Sequence, residues 1–460
     1  MQRPSASVRL LLAACLLVCV GPTPAQGAIP IGDPEGLPAK RREVERHGIT
    51  WTFDKPYVVG AFANGDPWVI GPVKVVAISP ETTVEDGRAL HGSMVDPDPS
   101  TENQGYDGGL YGNGTNERYV AKLNVAVGLS AKAPLRLQAG QSLVSVESRP
   151  KTDAPPTLLR ASVLTVLARK PAPDAFRPPY VKGDAATKKP RFRVADLDFR
   201  ALQKLAPVGD VPLIESVTRR FEKLWLDHVP AWVARYMHPL ENMPDYGRDI
   251  AALVGSAGLM LNLDLPKKRK QELLVHFTQL GIDNHAKLLA GCRWHGLGGH
   301  GHGRKLPILV AGRVLGDERM LAVGKDYVSK PKQAGGNGGW FGEDTQTFYV
   351  RRTGDREWNW GFGNYTEEHE DLPEWGFAHA DSPDRDDHRW EGNPYRRCCT
   401  ANGWVAQCLT VRAMGLVDEW NHPAWFDYMD RYQQHEHAED WHRSWVPWHP
   451  AMWAAYRDKF

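Results

Sequence analysis

Apolar positions change their period once along this 460-residue chain. From residue 49 to about 167 they come as short runs, Tyr57-Val58-Val59, Trp68-Val69-Ile70, Val73-Lys74-Val75-Val76-Ala77-Ile78 and Leu123-Asn124-Val125-Ala126-Val127, separated by Gly, Pro, Asn and Asp. Short β-branched and aromatic runs bounded by turn residues predict strands, and several in succession predict an all-β sandwich. After Asp210 the spacing becomes helical: Ile214, Val217, Phe221, Leu224, Trp225 and Val229, then Ile250, Leu253, Leu259 and Leu261, then Leu273, Leu274, Phe277 and Leu280. Recurrence at three and four residues is the signature of one apolar helix face. The same reading predicts helices at 305–315, 317–327, 400–414, 422–432 and 451–457.

Two stretches fit neither period. Residues 168–208 are rich in Lys, Arg and Ala and broken by Pro171, Pro178, Pro179 and Pro190, which predicts an extended linker along the surface. Residues 335–395 are long and irregular, and their many Trp, Phe and Tyr side chains argue against disorder, so a functional loop is expected there. The chain is therefore expected to be α+β and multidomain, with a β-sandwich over 29–167, the linker over 168–208 and a helical domain over 209–460.

The first 28 residues read as a secretory signal: Arg3 and Arg9 precede an apolar run from Leu10 to Val20, followed by small residues up to Ala28. Export to the periplasm or the medium is expected, with a lipid anchor at Cys15 as the lesser alternative. No later stretch is apolar for long enough to span a bilayer. Without Arg3 and Arg9, 54 of the 56 basic residues face 55 acidic ones, a balance that gives no electrostatic case for nucleic acid. Export also permits disulfides among Cys292, Cys398, Cys399 and Cys408. A bridge from Cys292 to Cys398 or Cys399 and a set of buried thiols both remain open.

The densest chemistry lies in Cys292-Arg293-Trp294-His295-Gly296-Leu297-Gly298-Gly299-His300-Gly301-His302-Gly303-Arg304-Lys305. Such a run cannot bury an apolar face, and its glycines let backbone approach a ligand closely, so it reads as the floor of a site. Asn242, Asn337, Tyr349, Tyr365, Arg389, Tyr395, Arg396 and Arg397 extend the set. Among the 17 tryptophans, Trp340, Trp358, Trp360 and Trp390 fall in irregular sequence, where no helix period requires them and stacking on a sugar ring is a natural use. These residue types suit β-elimination from a uronic acid. The C5 proton becomes labile once Asn, His or Arg offsets the neighbouring carboxylate, and Tyr or His then removes it.

Three segments resemble secreted polysaccharide lyases of the incomplete (α/α) toroid type, in particular alginate and glucuronan lyase-like proteins. They are Gly298 to Pro307, Arg389-Trp390-Glu391-Gly392-Asn393-Pro394-Tyr395, and Tyr395 to Trp404. The resemblance covers roughly 210–460 and implies a helical toroid acting on an acidic polysaccharide. By order along the chain it implies Asn242 and His300 at the carboxylate, with Arg389 shortly before a catalytic Tyr395. His295 and His302 compete with His300, Asn337 with Asn242, and Tyr365 with Tyr395. Substrate contacts are expected from His295, His302, Arg304, Asn337, Trp340, Tyr349, Trp360, Tyr365, Trp390 and Arg396.

Two rival chemistries use the same region. His300-Gly301-His302 with Glu367, Glu368, His369, Glu370 and Asp371 offers metal ligands, but no Cys-x-x-Cys or His-Glu-x-x-His pattern supports it. No cofactor or metal ligand is therefore assigned, and a structural calcium or zinc ion stays open. Paired carboxylates drawn from Glu343, Asp344, Glu367, Glu374 and Asp381 would instead suit glycoside hydrolysis. A secreted carbohydrate-binding protein without turnover is the non-enzymatic alternative.

Overall fold

The structure is a computed structural model that describes residues 39–460 apart from 102, 110–117, 151–154, 230–233, 297, 330–338, 354–356, 359–366, 377–395 and 436–444. Residues 1–28, where a secretory signal is expected, lie outside the described residues. Ten strands come first: β1 Ala39–Arg46, β2 Ile49–Ala61, β3 Pro67–Ile70, β4 Val73–Ser79, β5 Thr83–Glu85, β6 Arg88–Leu90, β7 Ser93–Val95, β8 Leu135–Leu137, β9 Ser142–Ser148 and β10 Leu158–Leu167. Eight of them form one curled mixed sheet in the order β7-β9-β10-β3-β2-β4-β8, with β1 on the other side of β2; β5 and β6 make a separate ribbon. Six longer helices follow: α1 Gly247–Leu261, α2 Lys267–Leu289, α3 Lys305–Leu315, α4 Val405–Ala413, α5 Pro423–His435 and α6 Trp448–Tyr456. The fold is α+β.

Alternation along β2 turns Ile49, Trp51 and Phe53 into a core shared with Val69, Val75, Leu143, Leu164 and Val166. β1, an edge strand, carries Lys40, Arg41, Arg42 and Glu43 on exposed or half-exposed positions, and such charges discourage pairing with a further strand. β9 and β10 are buried on both faces. Their second face, with Val144, Val146, Ala161 and Val163, packs on Tyr180, Leu224, Tyr236 and Ala286. The strands expected to form a two-sheet sandwich thus share one sheet, and part of its cover comes from the 180s segment and the helices. Alternation marks a strand's buried face but does not say whether a sheet or a helix covers it.

Two other expectations change. Leu123 to Val127 is not a strand, because Asn124 Oδ1 accepts from the amides of Ser93 at 3.0 Å and Ala126 at 3.1 Å and holds a turn. The segment expected as a surface linker is buried from Phe176 to Val181. Arg177 lies there with 1% of its side chain exposed, donating to Asp66 at 2.6 Å and to Asp283 at 2.5 and 3.1 Å. The triad joins the β2–β3 turn to helix α2. Burial pushes Asp66 up, but the guanidinia of Arg177 and Arg46 outweigh it and hold the carboxyl below its ordinary range. For Asp283, burial wins over the same guanidinium and its carboxyl lies above that range. The proline-rich sequence gave no sign of this, since a lone Arg among prolines reads as solvated.

The helices gather around a large apolar core to which α1 gives Ile250, Val254 and Leu259, α2 Leu273 and Phe277, α3 Leu306 and Leu309, and α4 Val405 and Leu409. Trp404, Trp420, Trp425 and Trp448 are buried in it, so these tryptophans are packing residues and not sugar platforms. Replacing Arg177 by Ala would take the main cation from two buried carboxylates, leaving Asp66 only the longer Arg46 contact at 3.9 Å. Urea denaturation should show a loss of about 3–5 kcal/mol, and a loss below 1 kcal/mol would mean that the triad is not a fold anchor.

Candidate active site

Three chain segments meet where the His/Gly run crosses the start of α1. A Cβ on Gly247 would lie 2.1 Å from the Gly299 carbonyl oxygen and 2.2 Å from that of His300, and one on Gly299 would lie 2.2 Å from the Cys399 carbonyl and 2.6 Å from the Tyr246 ring. Backbone therefore packs directly on backbone at 246–248, 298–303 and 398–399, an approach open only to glycine. Tyr246 and His300 meet edge to face, centroids 4.7 Å apart at 85°. The Gly299 amide donates to Tyr246 Oη at 3.0 Å. Arg248 lies beside the same ring, its Cζ 5.4 Å from the centroid, and donates to the Cys398 carbonyl at 2.8 Å while pairing with Asp249.

A buried ion pair holds this arrangement from below. Arg304 Nε donates to Asp227 at 2.8 Å, and its Nη1 donates to the carbonyls of His300, at 3.2 Å, and His302. His238 completes the group, with Nε2 3.3 Å from Asp227 and Nδ1 3.0 Å from the Pro244 carbonyl. Burial opposes the Asp227 charge, yet Arg304, His238 and Lys287 hold its carboxyl well below the ordinary range. His300 is half-buried, and desolvation, with Arg235 and Arg304 nearby, lowers its pKa to about 3. At neutral pH it is an uncharged imidazole, a weak base that still offers an N–H.

His302 turns the other way, into the helical core. It packs edge to face on Trp404 at 4.9 Å, and its Nε2 lies 2.5 Å from Gln346 Oε1. Next to it Glu343, wholly buried, accepts from the Gly303 amide at 2.7 Å and from Gln407 at 3.1 Å. Gly303 has φ +89° just before α3, so Glu343 holds a left-handed residue of the turn in place. Burial, opposed by the Gly303 amide, raises Glu343 to about 7. Asp344 pairs with Lys305 at 2.6 Å and accepts from Trp420 at 3.0 Å. Glu343, Asp344 and Glu374 are all buried, which leaves none of them facing solvent as a hydrolytic carboxylate requires.

The remaining sequence candidates fall in different places. Arg304 lies beneath the turn and not at a surface. Asn242 is buried, its amide directed at the carbonyls of Lys223 and Leu224 at 3.3 Å each, so it braces that segment. His295 is buried. Trp340 packs between Tyr327, at 4.9 Å, and Arg293, at 4.5 Å. Tyr349 donates to Asp427, away from the His/Gly turn, and burial together with that carboxylate raises its phenol. Asn337, Trp360, Tyr365, Arg389, Trp390 and Tyr395 lie outside the described residues, as does the Arg396 side chain. Cys398 bonds to its neighbour Cys399, and Cys292 and Cys408 are buried thiols. The bridge from Cys292 is therefore not formed, and carbonyl packing joins the two segments in its place. Among the described residues no group of three or more His, Cys, Asp and Glu is placed to hold a metal ion.

Tyr246, Arg248, Asp227 and His238 were not singled out from the sequence, and Glu343 only as a hydrolytic acid. One signal was available: Gly247 opens α1, where glycine costs helix stability unless close contact requires it. No family model matches the chain, and no curated protein or solved structure is significantly similar to it.

The Glu343 shift fixes a pH dependence. With its pKa raised from 4.5 to about 7 on folding, the carboxyl stabilises the fold below the lower value and loses that contribution as pH rises through the higher one. Between pH 5 and 8, urea denaturation should show wild type losing on the order of 2 kcal/mol more than Glu343→Gln. Equal pH slopes for the two proteins would refute it.

Proposed function

We propose that the protein is an exported lyase that cleaves a uronate-containing polysaccharide by β-elimination, its helices forming an incomplete (α/α) toroid around the site. The observation that carries this reading is the Tyr246–His300 contact at a solvent-reachable junction, with Arg235 and Arg248 beside it. In that role neutral His300 donates its N–H to the substrate carboxylate and to the enolate-like anion that follows. Arg235, itself paired with Asp245 at 2.6 Å, lies beside it. A preorganised donor of this kind favours the developing charge over the resting carboxylate. The low basicity of His300 directs the C5 proton to a tyrosine.

Tyr246 is the tyrosine in contact with His300, and Tyr395 is the one implied by the resemblance. We assign the proton transfer to Tyr246, acting as the phenolate: its oxygen accepts the Gly299 amide, the Arg248 guanidinium lies beside its ring, and on taking the C5 proton it becomes the neutral phenol. The same phenol then protonates the departing glycosidic oxygen on the same side of the ring, so the sequence closes without a cofactor. Burial of Glu343, Asp344 and Glu374 weighs against the hydrolytic alternative.

The test is absorbance at roughly 235 nm, where the unsaturated uronate product absorbs, with alginate, glucuronan, pectate and glycosaminoglycans as substrates. Tyr246→Phe is expected to lower kcat by about 10²-fold or more, with KM within a few-fold of wild type. No signal with any uronate polymer would refute the lyase. Full activity in Tyr246→Phe with none in Tyr395→Phe would move the proton transfer to Tyr395.

A further inference from the structure

Cys398 and Cys399, neighbours in sequence, are joined by a disulfide. Both are half-buried, in one turn of π-helix over Arg396–Thr400. The bond closes a small ring around the peptide unit that the two residues share, so it fixes the direction of the Cys398 carbonyl. That carbonyl accepts from Arg248 Nη1 at 2.8 Å, and the Arg248 guanidinium lies 5.4 Å from the centroid of the Tyr246 ring. The Cys399 carbonyl packs on Gly299, whose amide donates to Tyr246 Oη at 3.0 Å. Each carbonyl of the pair thus reaches Tyr246 through a single residue, Arg248 or Gly299.

Opening the bond would act there and not on the whole fold. A disulfide stabilises a protein mainly by restricting its unfolded chain, and the restriction grows with the length of the loop that is closed. The loop between adjacent residues is the shortest possible, so the fold as a whole gains little from this bond. Exchange within the chain is blocked as well. Cys292 and Cys408, the two other described cysteines, are fully buried, and burial pushes the Cys408 thiol up to about 12. Neither supplies an attacking thiolate, so the bond is opened only by a thiol from outside.

We propose that Cys398–Cys399 is a thiol-exchange site, opened by an external dithiol, and that its opening releases Tyr246 and the His/Gly turn from the geometry described above. A thiolate of the dithiol attacks one sulfur, the Cys398–Cys399 bond breaks as a mixed disulfide forms, and the second thiolate of the dithiol displaces the bound cysteine. Two electrons and two protons pass to Cys398 and Cys399, which become thiols, while the dithiol is oxidised to its own disulfide. Freed from the ring, the shared peptide turns, Arg248 loses its acceptor and Gly299 loses the carbonyl packed on it. Reoxidation restores both contacts. Neither step rests on the lyase reading above.

Hydrogen–deuterium exchange of the full chain, oxidised and after dithiothreitol, tests this, with iodoacetamide marking the thiols that open. Without denaturant, dithiothreitol should make Cys398 and Cys399 open to alkylation while Cys292 and Cys408 stay protected. Amides of 246–248 and 298–303 should then exchange about tenfold faster or more, with β9 and β10 unchanged. The double variant Cys398→Ser/Cys399→Ser should exchange like the reduced protein and ignore dithiothreitol. Equal protection of the two segments in both states, a bond that resists dithiothreitol, free thiols at both positions before reduction, or protection lost across the whole chain would overturn the switch even if the ultraviolet signal appears. Faster exchange confined to the two segments, with no ultraviolet signal on any polymer, would sustain the switch and sink the lyase.

Discussion

Arg304 lies under the His/Gly turn as a buried cation, and the geometry around His300 depends on the bonds it makes. Its guanidinium joins Asp227 to the carbonyls of His300 and His302, so one side chain sets where both imidazoles point. A glycine-rich turn has little conformational preference of its own, and the cost of ordering it must be offset by contacts from outside. The buried pair provides them, with His238 bracing Asp227 and Glu343 holding the Gly303 amide. Removing either ion would leave the other buried and unpaired, which explains why such a network holds one conformation.

From that anchor the chemistry divides along the turn. His300 faces Tyr246 at the surface, while His302, two residues on, faces Trp404 and Gln346 in the core. Residues 298–301 form a turn, and the turn carries the two histidines to different sides, where extended backbone would have put residues two apart on one side. It also separates the two histidines that a metal reading would bring together. The vicinal pair Cys398–Cys399 packs its carbonyls against Gly299 and Arg248 and so closes one edge of the turn.

Local periodicity made much of the fold legible. The run at 68–70 is β3, the run at 73–78 lies within β4, and helices expected at 305–315 and 422–432 correspond to Lys305–Leu315 and Pro423–His435. The helix expected at 317–327 is instead two short ones, Glu318–Leu321 and Val323–Asp326. What periodicity could not give was which surface covers which. The cover over β9 and β10, the burial of Arg177 and the contact between Gly247 and Gly299 all join residues distant in sequence. In the site, the His/Gly run stood out by composition, but Tyr246 and Asp227 belong to ordinary-looking helical and loop sequence and acquire their roles only through contact. Asn242, chosen by order along the chain, proved to be buried against backbone carbonyls.

The arrangement at the turn requires His300 to be a neutral donor held by the buried Arg304–Asp227 pair. Nuclear magnetic resonance of protein labelled with ¹³C in its histidine rings, with the His300 signal assigned by its loss in His300→Gln, reads its charge directly. With a pKa of about 3, that signal should stay at its neutral position from pH 8 down to pH 5. A titration centred near the ordinary histidine value of about 6.5 would show a solvated imidazole and contradict the arrangement described.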